Sequence, residues 1–216
     1  MNSKLIRSIT FCLTLIVANA NADIINYPDT ESPGLTFTNI TESSLDTLPL
    51  FGAPSVENES LVFNNLSFAT QTAGSLDFID GRVTVTVTSK NSQMFSSFSL
   101  LEQGVYEIMG QGTVAVSGVA FAIADGEIYQ ADFQFDTSEA GTGKWSHKMN
   151  IDFAAPVSSF SLVMDNQLFG DSDANSFASI EKNTVELSVN SSSIPEPSAA
   201  MGSLLGLALL STRRRR

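Results

Sequence analysis

The residue pattern implies an all-β chain: one antiparallel β-sandwich, jelly-roll-like, between an N-terminal signal helix and a C-terminal transmembrane helix. Apolar and polar residues alternate in short runs from residue 34 to residue 190. Gly, Asn, Asp and Ser interrupt these runs about every ten residues, the spacing of sandwiches and barrels. Outside the two terminal segments no window sustains the three-and-four apolar spacing of a helix.

Residues 1–22 have the order of an export leader. Lys4 and Arg7 give the positive start, residues 9–17 the apolar run, and Ala18-Asn19-Ala20-Asn21-Ala22 the small-residue cleavage site. Two overlapping A-x-A frames place signal peptidase cleavage after Ala20 or Ala22. The single Cys, Cys12, falls inside this leader, so a processed chain has no disulfide and no Cys-ligated zinc. One histidine, His147, rules out a multi-histidine metal site.

Residues 23–190 are expected to form the sandwich. Residues 23–33 read as a loose leading strand, and residues 61–63 and 66–69 as short strands around Asn64-Asn65. Arg82-Val83-Thr84-Val85-Thr86-Val87-Thr88 alternates without a fault, valines to one face and threonines to the other. Asp80-Gly81 reads as a tight turn linking it to residues 76–79. Strands follow at 94–101, 104–109 and 113–124, the last broken near Gly118. Asp125-Gly126 signals a second hairpin, after which Tyr129, Ala131, Phe133 and Phe135 share a face. Residues 138–143 read as a loop. Trp145, His147, Met149, Ile151 and Phe153 share the next face, which Ala155-Pro156 interrupts. Phe160, Leu162 and Met164, then Val185, Leu187 and Val189, complete roughly nine to eleven strands. Residues 191–194 read as a linker.

Charge excludes one class of partner. Lys4 and Arg7 lie in the leader and four arginines close the chain, leaving five of the 11 basic residues between 23 and 194. All but one of the 23 acidic residues fall there, a balance of −17. A field of that sign repels nucleic acid and anionic lipid.

The central region is not expected to be an enzyme. It contains no G-x-S-x-G and no Gly-rich phosphate loop. His147 shares strand parity with Trp145 and Met149, as a partly buried strand histidine does. Asp132 and Asp136 share a face, which solvent exposure explains as well as a glycosidase pair does. Asp165, Asp171, Asp173 and Asn175 read as one acidic loop whose alternating oxygens suit a weak structural calcium ion, the one cofactor considered. The EF-hand pattern fails there, because Ser176 replaces the needed Gly and Lys182 the closing Glu. The Thr84-Thr86-Thr88 face resembles one row of an ice-binding array, but no repeat supplies neighbouring rows.

The C-terminal segment carries the functional inference. Pro195-Glu196-Pro197 fixes an extended stretch open to a protease. Residues 199–212 carry no charge, and Arg213, Arg214, Arg215 and Arg216 form a cytoplasmic topology stop. The apolar run would span only about 21 Å as a helix against about 30 Å of hydrocarbon, a marginal anchor. In this order, residues 195–216 resemble a PEP-CTERM sorting signal, a tail also known as an ice-binding protein C-terminal motif. The resemblance implies cleavage near residues 195–197 by an exosortase, a transmembrane sorting protease. It also implies transient anchoring in the inner membrane, then delivery to the cell surface or extracellular space. Two core segments, Phe51-Gly52-Ala53-Pro54 and Ile180-Glu181-Lys182-Asn183 before the final strand, resemble parts of such exported proteins and imply no activity.

The expected function is therefore an exported structural protein of the cell surface or extracellular matrix. Its processing partners are signal peptidase and exosortase, and extracellular polysaccharide is a further partner. A secreted carbohydrate-binding module is the alternative, and a β-sandwich glycoside hydrolase a more distant one.

Overall fold

The computed structural model describes residues 22–192, apart from Thr47 and Ser92. Among the described residues there is no helix; strands account for the architecture. In chain order they begin β1 Asp23–Asn26, β2 Thr30–Glu31, β3 Leu35–Ser44, β4 Ser55–Glu57, β5 Ser60–Phe63 and β6 Ala69–Thr72. Longer strands follow: β7 Leu76–Ser89, β8 Met94–Met109, β9 Gly112–Ala124, β10 Glu127–Thr137, β11 Gly141–Val157, β12 Ser159–Ser172 and β13 Phe177–Ser192.

They form two antiparallel sheets in a sandwich-like arrangement. The first runs β1-β3-β7-β12-β9-β10, with β2 on β3; the second runs β11-β8-β13-β5-β4, with β6 on β13. Period-two alternation decides the inner faces. Phe37, Val83, Val85, Val87, Phe160, Leu162 and Met164 line the first sheet's inner face, and Phe95, Phe98, Leu100, Ile108, Ile180 and Leu187 the second's. The rings of Phe98 and Phe160 stack across the interface with centroids 4.9 Å apart. The Asp125-Gly126 hairpin is present between β9 and β10, with φ of 50° and 84° as a type I′ turn requires.

Two glycines expected to interrupt strands, Gly81 and Gly118, do not, and Gly104, expected to open a strand, lies inside one. Asp80-Gly81 is no turn, because β7 runs straight through it. A Cβ at Gly81 would lie 2.9 Å from Leu50 Cδ1 and 3.1 Å from Phe51 Cε2, so the missing side chain admits a packed loop. Residues 94–101 and 104–109 are one strand, β8, and β9 is unbroken at Gly118. The indole of Trp145 fills the space a side chain on Gly104 would need, and the Phe133 ring that on Gly118. Ala155-Pro156 marks a register shift between Asp152 and Val157, with β11 continuing past it. Residues 191 and 192, expected in the linker, belong to β13, and residues 180–183 lie inside that strand, not before it.

One buried carboxylate fastens the loop after β3. Glu42 is fully buried, accepts hydrogen bonds from the amides of Leu50 and Phe51, and accepts the Tyr27 hydroxyl at 2.5 Å. Burial, and then the Glu42 carboxylate, push the Tyr27 hydroxyl far above its usual range, so it remains a donor. Glu42→Ala strands two amides and a phenol, and should cost about 3 kcal/mol or more in chemical denaturation. Tyr27→Phe should cost about 1 kcal/mol by the same measurement. Equal midpoints for Glu42→Ala and wild type would show that this carboxylate does not hold the loop.

Candidate functional site

The outer face of the second sheet holds a groove of about 510 Å³. It crosses four strands, and strand register sorts its lining into two rows. Gln71, Ser179, Glu107 and Thr142 form one row; Ala69, Glu181, Val105 and Lys144 form the next. Every one of these side chains sits at an outward position of an antiparallel ladder, opposite in parity to the core residues Thr70, Ile108, Trp145 and Ile180. Tyr106 reaches the groove beside Gly143, where a Cβ would collide with its ring.

The chemistry of this groove is polar and mixed in sign. Two carboxylates, one carboxamide, two hydroxyls and one ammonium converge on a shallow surface with an apolar strip at Val105. Glu107 and Glu181 are diagonal neighbours on β8 and β13, since Glu107 faces Ser179 and Glu181 faces Val105. Diagonal residues on such a ladder lie about 7–8 Å apart, their Cβ atoms somewhat closer.

The outer face of the first sheet has a different character. Thr36, Thr88 and Ser159 form one row and Thr38, Thr86 and Ser161 the next, with Thr41 beside Thr84 in a third. The threonines of β7 thus do have neighbouring rows, supplied by β3 and β12, strands far away in sequence. Their hydroxyls hydrogen-bond one another: Thr41 with Thr84, Thr86 with Ser161 at 3.3 Å, and Thr88 with Ser159 at 3.0 Å. Further along, Arg82 pairs with Asp165 and Phe78 lies opposite Phe169.

The residues considered for calcium are not brought together. Residues 165–172 are strand β12 and not a loop, so Asp165 and Asp171 are about 20 Å apart at ~3.3 Å per residue. Asp165 has Arg82 as its partner. Asp173 and Asn175 lie in the turn before β13, where the Asp173 carbonyl accepts the Ser176 amide at 2.9 Å. Among the described residues no group of three or more His, Cys, Asp or Glu side chains could hold a metal ion. Asp132 and Asp136 are exposed on β10, flanking Gln134 on the outer face of the first sheet. His147 is half-buried and stacks on Phe133, with ring centroids 4.7 Å apart, as a strand histidine of that parity should. Ala22 immediately precedes β1. Ala20, Pro195, Glu196, Pro197, the apolar run 199–212 and Arg213 to Arg216 lie outside the described residues, and among those described no helix is long and apolar enough to cross a membrane.

No protein-family model matches the chain, and no curated protein does. Among solved structures, TmCBM61 in complex with β-1,4-galactotriose aligns over 63% of this chain and 89% of its own, with 7% identity and a TM-score of 0.27. The enzymatically active domain of bacteriophage CBA120 tailspike protein 4 aligns over 63% of this chain but 21% of its own, with 14% identity and a TM-score of 0.27. The infectious bursal disease virus Gx strain structure aligns over 76% of this chain and 53% of its own, with 14% identity and a TM-score of 0.24. At such TM-scores these likenesses assign neither a relative nor a ligand.

Asp80, on the first sheet's outer face, has its carboxyl held above the usual range. Partial burial is the largest cause, and the nearby charges of Asp46 and Asp165 add to it against the pull of Arg82. A carboxyl raised on folding binds its proton more tightly in the folded state. It therefore adds stability as pH falls through its folded value and opposes folding near neutrality. Asp80→Asn should raise the thermal midpoint at pH 7 by at most about 2–4 °C. It should also flatten the gain seen in wild type on mild acidification. A lower midpoint for Asp80→Asn at pH 7 would contradict this.

Proposed function

We propose that this chain is a non-enzymatic exported protein of the cell surface or extracellular matrix, and that its groove binds a neutral polysaccharide there. The observation that carries the reading is the double row of outward side chains across β6, β13, β8 and β11. Planar carboxylates and a carboxamide grip pairs of sugar hydroxyls, while Thr142, Ser179 and Lys144 serve ring and glycosidic oxygens. A volume near 510 Å³ lies within the usual range for small-ligand clefts of about 300–1,000 Å³. The −17 balance of residues 23–194 argues against uronic-acid-rich or sulfated chains, leaving neutral glycans as the favoured class.

A glycan array screen of the exported protein, followed by calorimetry on the hits, tests this. Glu107→Ala and Gln71→Ala should each weaken binding about tenfold or more, the equivalent of ~1.4 kcal/mol, without moving the thermal midpoint. Failure of wild type to bind any neutral glycan at millimolar concentration would end the reading. The diagonal Glu107–Glu181 pair also puts two carboxylates on neighbouring strands of one face, the minimum a glycosidase needs. Hydrolysis of a bound glycan that stops in Glu107→Gln while binding persists would replace the binding module with an enzyme.

Export and sorting are part of the same proposal. Cleavage after Ala22 would leave Asp23, the first residue of β1, at the N-terminus. β13 runs to Ser192, so the Pro195-Glu196-Pro197 motif follows closely on the last strand. Exosortase cleaves there, and Arg213 to Arg216 hold the chain in the inner membrane beforehand. Replacing residues 195–197 with Ala should leave the full-length protein in the inner membrane. Replacing the four arginines with Ser should release unprocessed protein to the periplasm. Fractionation with mass spectrometry reads both outcomes. A wild-type chain that keeps its arginine tail in the inner membrane, with or without the protease, would make the tail a plain anchor.

A further inference from the structure

A second constellation lies inside the sandwich, unconnected to the groove. Only five basic residues occur between 23 and 194, and one of them, Lys182, has a side chain with no solvent exposure. Its ammonium contacts Glu102 of the neighbouring strand β8, which is 1% exposed, and donates to Oδ1 of Asn166 on β12 in the opposite sheet. Aromatic rings surround the Lys182 nitrogen. Lys182 Nζ lies 5.2 Å from the centroid of Phe68, 5.9 Å from Trp145 and 6.0 Å from Phe51. The backbone is shaped to admit them. Gly104 is paired with Lys182 and leaves room for the Trp145 indole, while Gly118 is paired with Asn166, whose Oδ1 lies 2.9 Å from where a Cβ would be. A register shift between Lys182 and Thr184 restores the alternation after Lys182 has turned inward.

As a plain ion pair this arrangement is incomplete. Glu102 Oε1 and Asn166 Nδ2 are buried without a hydrogen-bond partner in the protein. Those two atoms, with Lys182 Nζ, are the ones that amide exchange between an amine and a carboxamide uses.

We infer that Lys182 and Asn166 form an intramolecular isopeptide bond, with Glu102 as the catalytic proton carrier, covalently joining the two sheets. Glu102 takes one proton from the Lys182 ammonium. The freed lone pair forms a C–N bond to Cγ of Asn166, and the Cγ–Nδ2 bond breaks. Nδ2 departs as ammonia, carrying a second proton delivered from Nζ through Glu102. One proton stays on the new amide nitrogen and one on Glu102, so atoms and charge balance and nothing is oxidised or reduced. Burial lowers the Lys182 pKa against the opposing pull of Glu102, which favours the neutral, nucleophilic amine. Water-free aromatic walls strengthen the polarisation of the Asn166 carbonyl by the protonated carboxyl. The product replaces a buried charge pair with a neutral amide, relieving the desolvation penalty of both ions.

Peptide mapping of the exported wild-type protein tests the bond without any variant. Cleavage before aspartate, at Asp165 and Asp171, cuts out residues 165–170 and separates them from the segment holding Lys182. The two should stay joined as one branched peptide, about 17 Da lighter than their sum through loss of one ammonia. Fragmentation should place the branch at Asn166 and Lys182; an Asn166 succinimide would also lose about 17 Da but leave the two peptides separate. Glu102→Gln keeps the carbonyl and the shape, and should yield the two peptides separately at full mass. Asn166→Ala should do the same. Separate, full-mass peptides from folded wild-type protein would overturn the bond and leave a buried ion pair. A branched peptide undiminished in Glu102→Gln would overturn the role of Glu102.

Discussion

Two sheets can slide over one another as long as only apolar surface lies between them, because hydrophobic contact has no direction. Lys182 removes that freedom. Its fully buried nitrogen is held from both layers, by Glu102 of its own sheet and Asn166 of the other, first as an ion pair and then through the proposed amide. Losing Glu102 before the bond forms would leave an uncompensated buried charge, at a cost of about 3–5 kcal/mol. The register of β12 against β13 is therefore fixed by polar geometry in a core otherwise built from Phe, Leu and Val. Phe51 and Phe68 close over the same nitrogen, so the segment between β3 and β6 is tied to it as well. Glu42 holds the near end of that segment, through the amides of Leu50 and Phe51.

β13 links this interior to everything outside it. Ile180 and Lys182 face inward, while Ser179 and Glu181 face the groove. Val185 and Leu187 return to the core once the register has shifted. A strand central to its sheet and constrained on both faces is a rigid floor for a binding surface. The groove residues inherit that rigidity because all of them stand on ladders, and ligand contacts made from such positions lose little conformational entropy.

Where periodicity speaks for a single strand, the sequence was legible. The alternation from Arg82 to Thr88 and the Asp125-Gly126 turn needed no partner to be read. The inward parity of His147 was equally plain. Gly81 and Gly118 look locally like breaks, and Gly104 like the start of a strand. Each in fact makes room for a side chain or loop distant in sequence. Neither constellation could be seen as a pattern. Glu102 and Lys182 are 80 residues apart, and Glu107 meets Glu181 only through the β8–β13 register. In sequence Lys182 stands out only as a misfit to the calcium pattern and as part of the segment 180–183. A usable signal did exist: Glu102 shares parity with Leu100 in one run and Lys182 with Ile180 in another, opposite charges at core positions of two separate strands. The hydroxyl rows of the first sheet were missed for the same reason, since β3, β7 and β12 are neighbours in space alone.

The placement of Lys144 and Lys148 has a consequence for crowding. β11 ends the second sheet, and an end strand offers unpaired amides and carbonyls to any similar strand nearby. Along it, Lys144, Ser146, Lys148, Asn150 and Asp152 are exposed, and beyond them the Ala154 amide is capped by the hydroxyl of Tyr129 at 3.3 Å. A second copy that added its own β11 antiparallel about Ser146 would set Lys144 against Lys148 twice over. In a chain with so few cations, two stand on this one exposed border. Copies packed densely on one surface can lie edge to edge as separate molecules, where a bare border of the same length would seed a fibre.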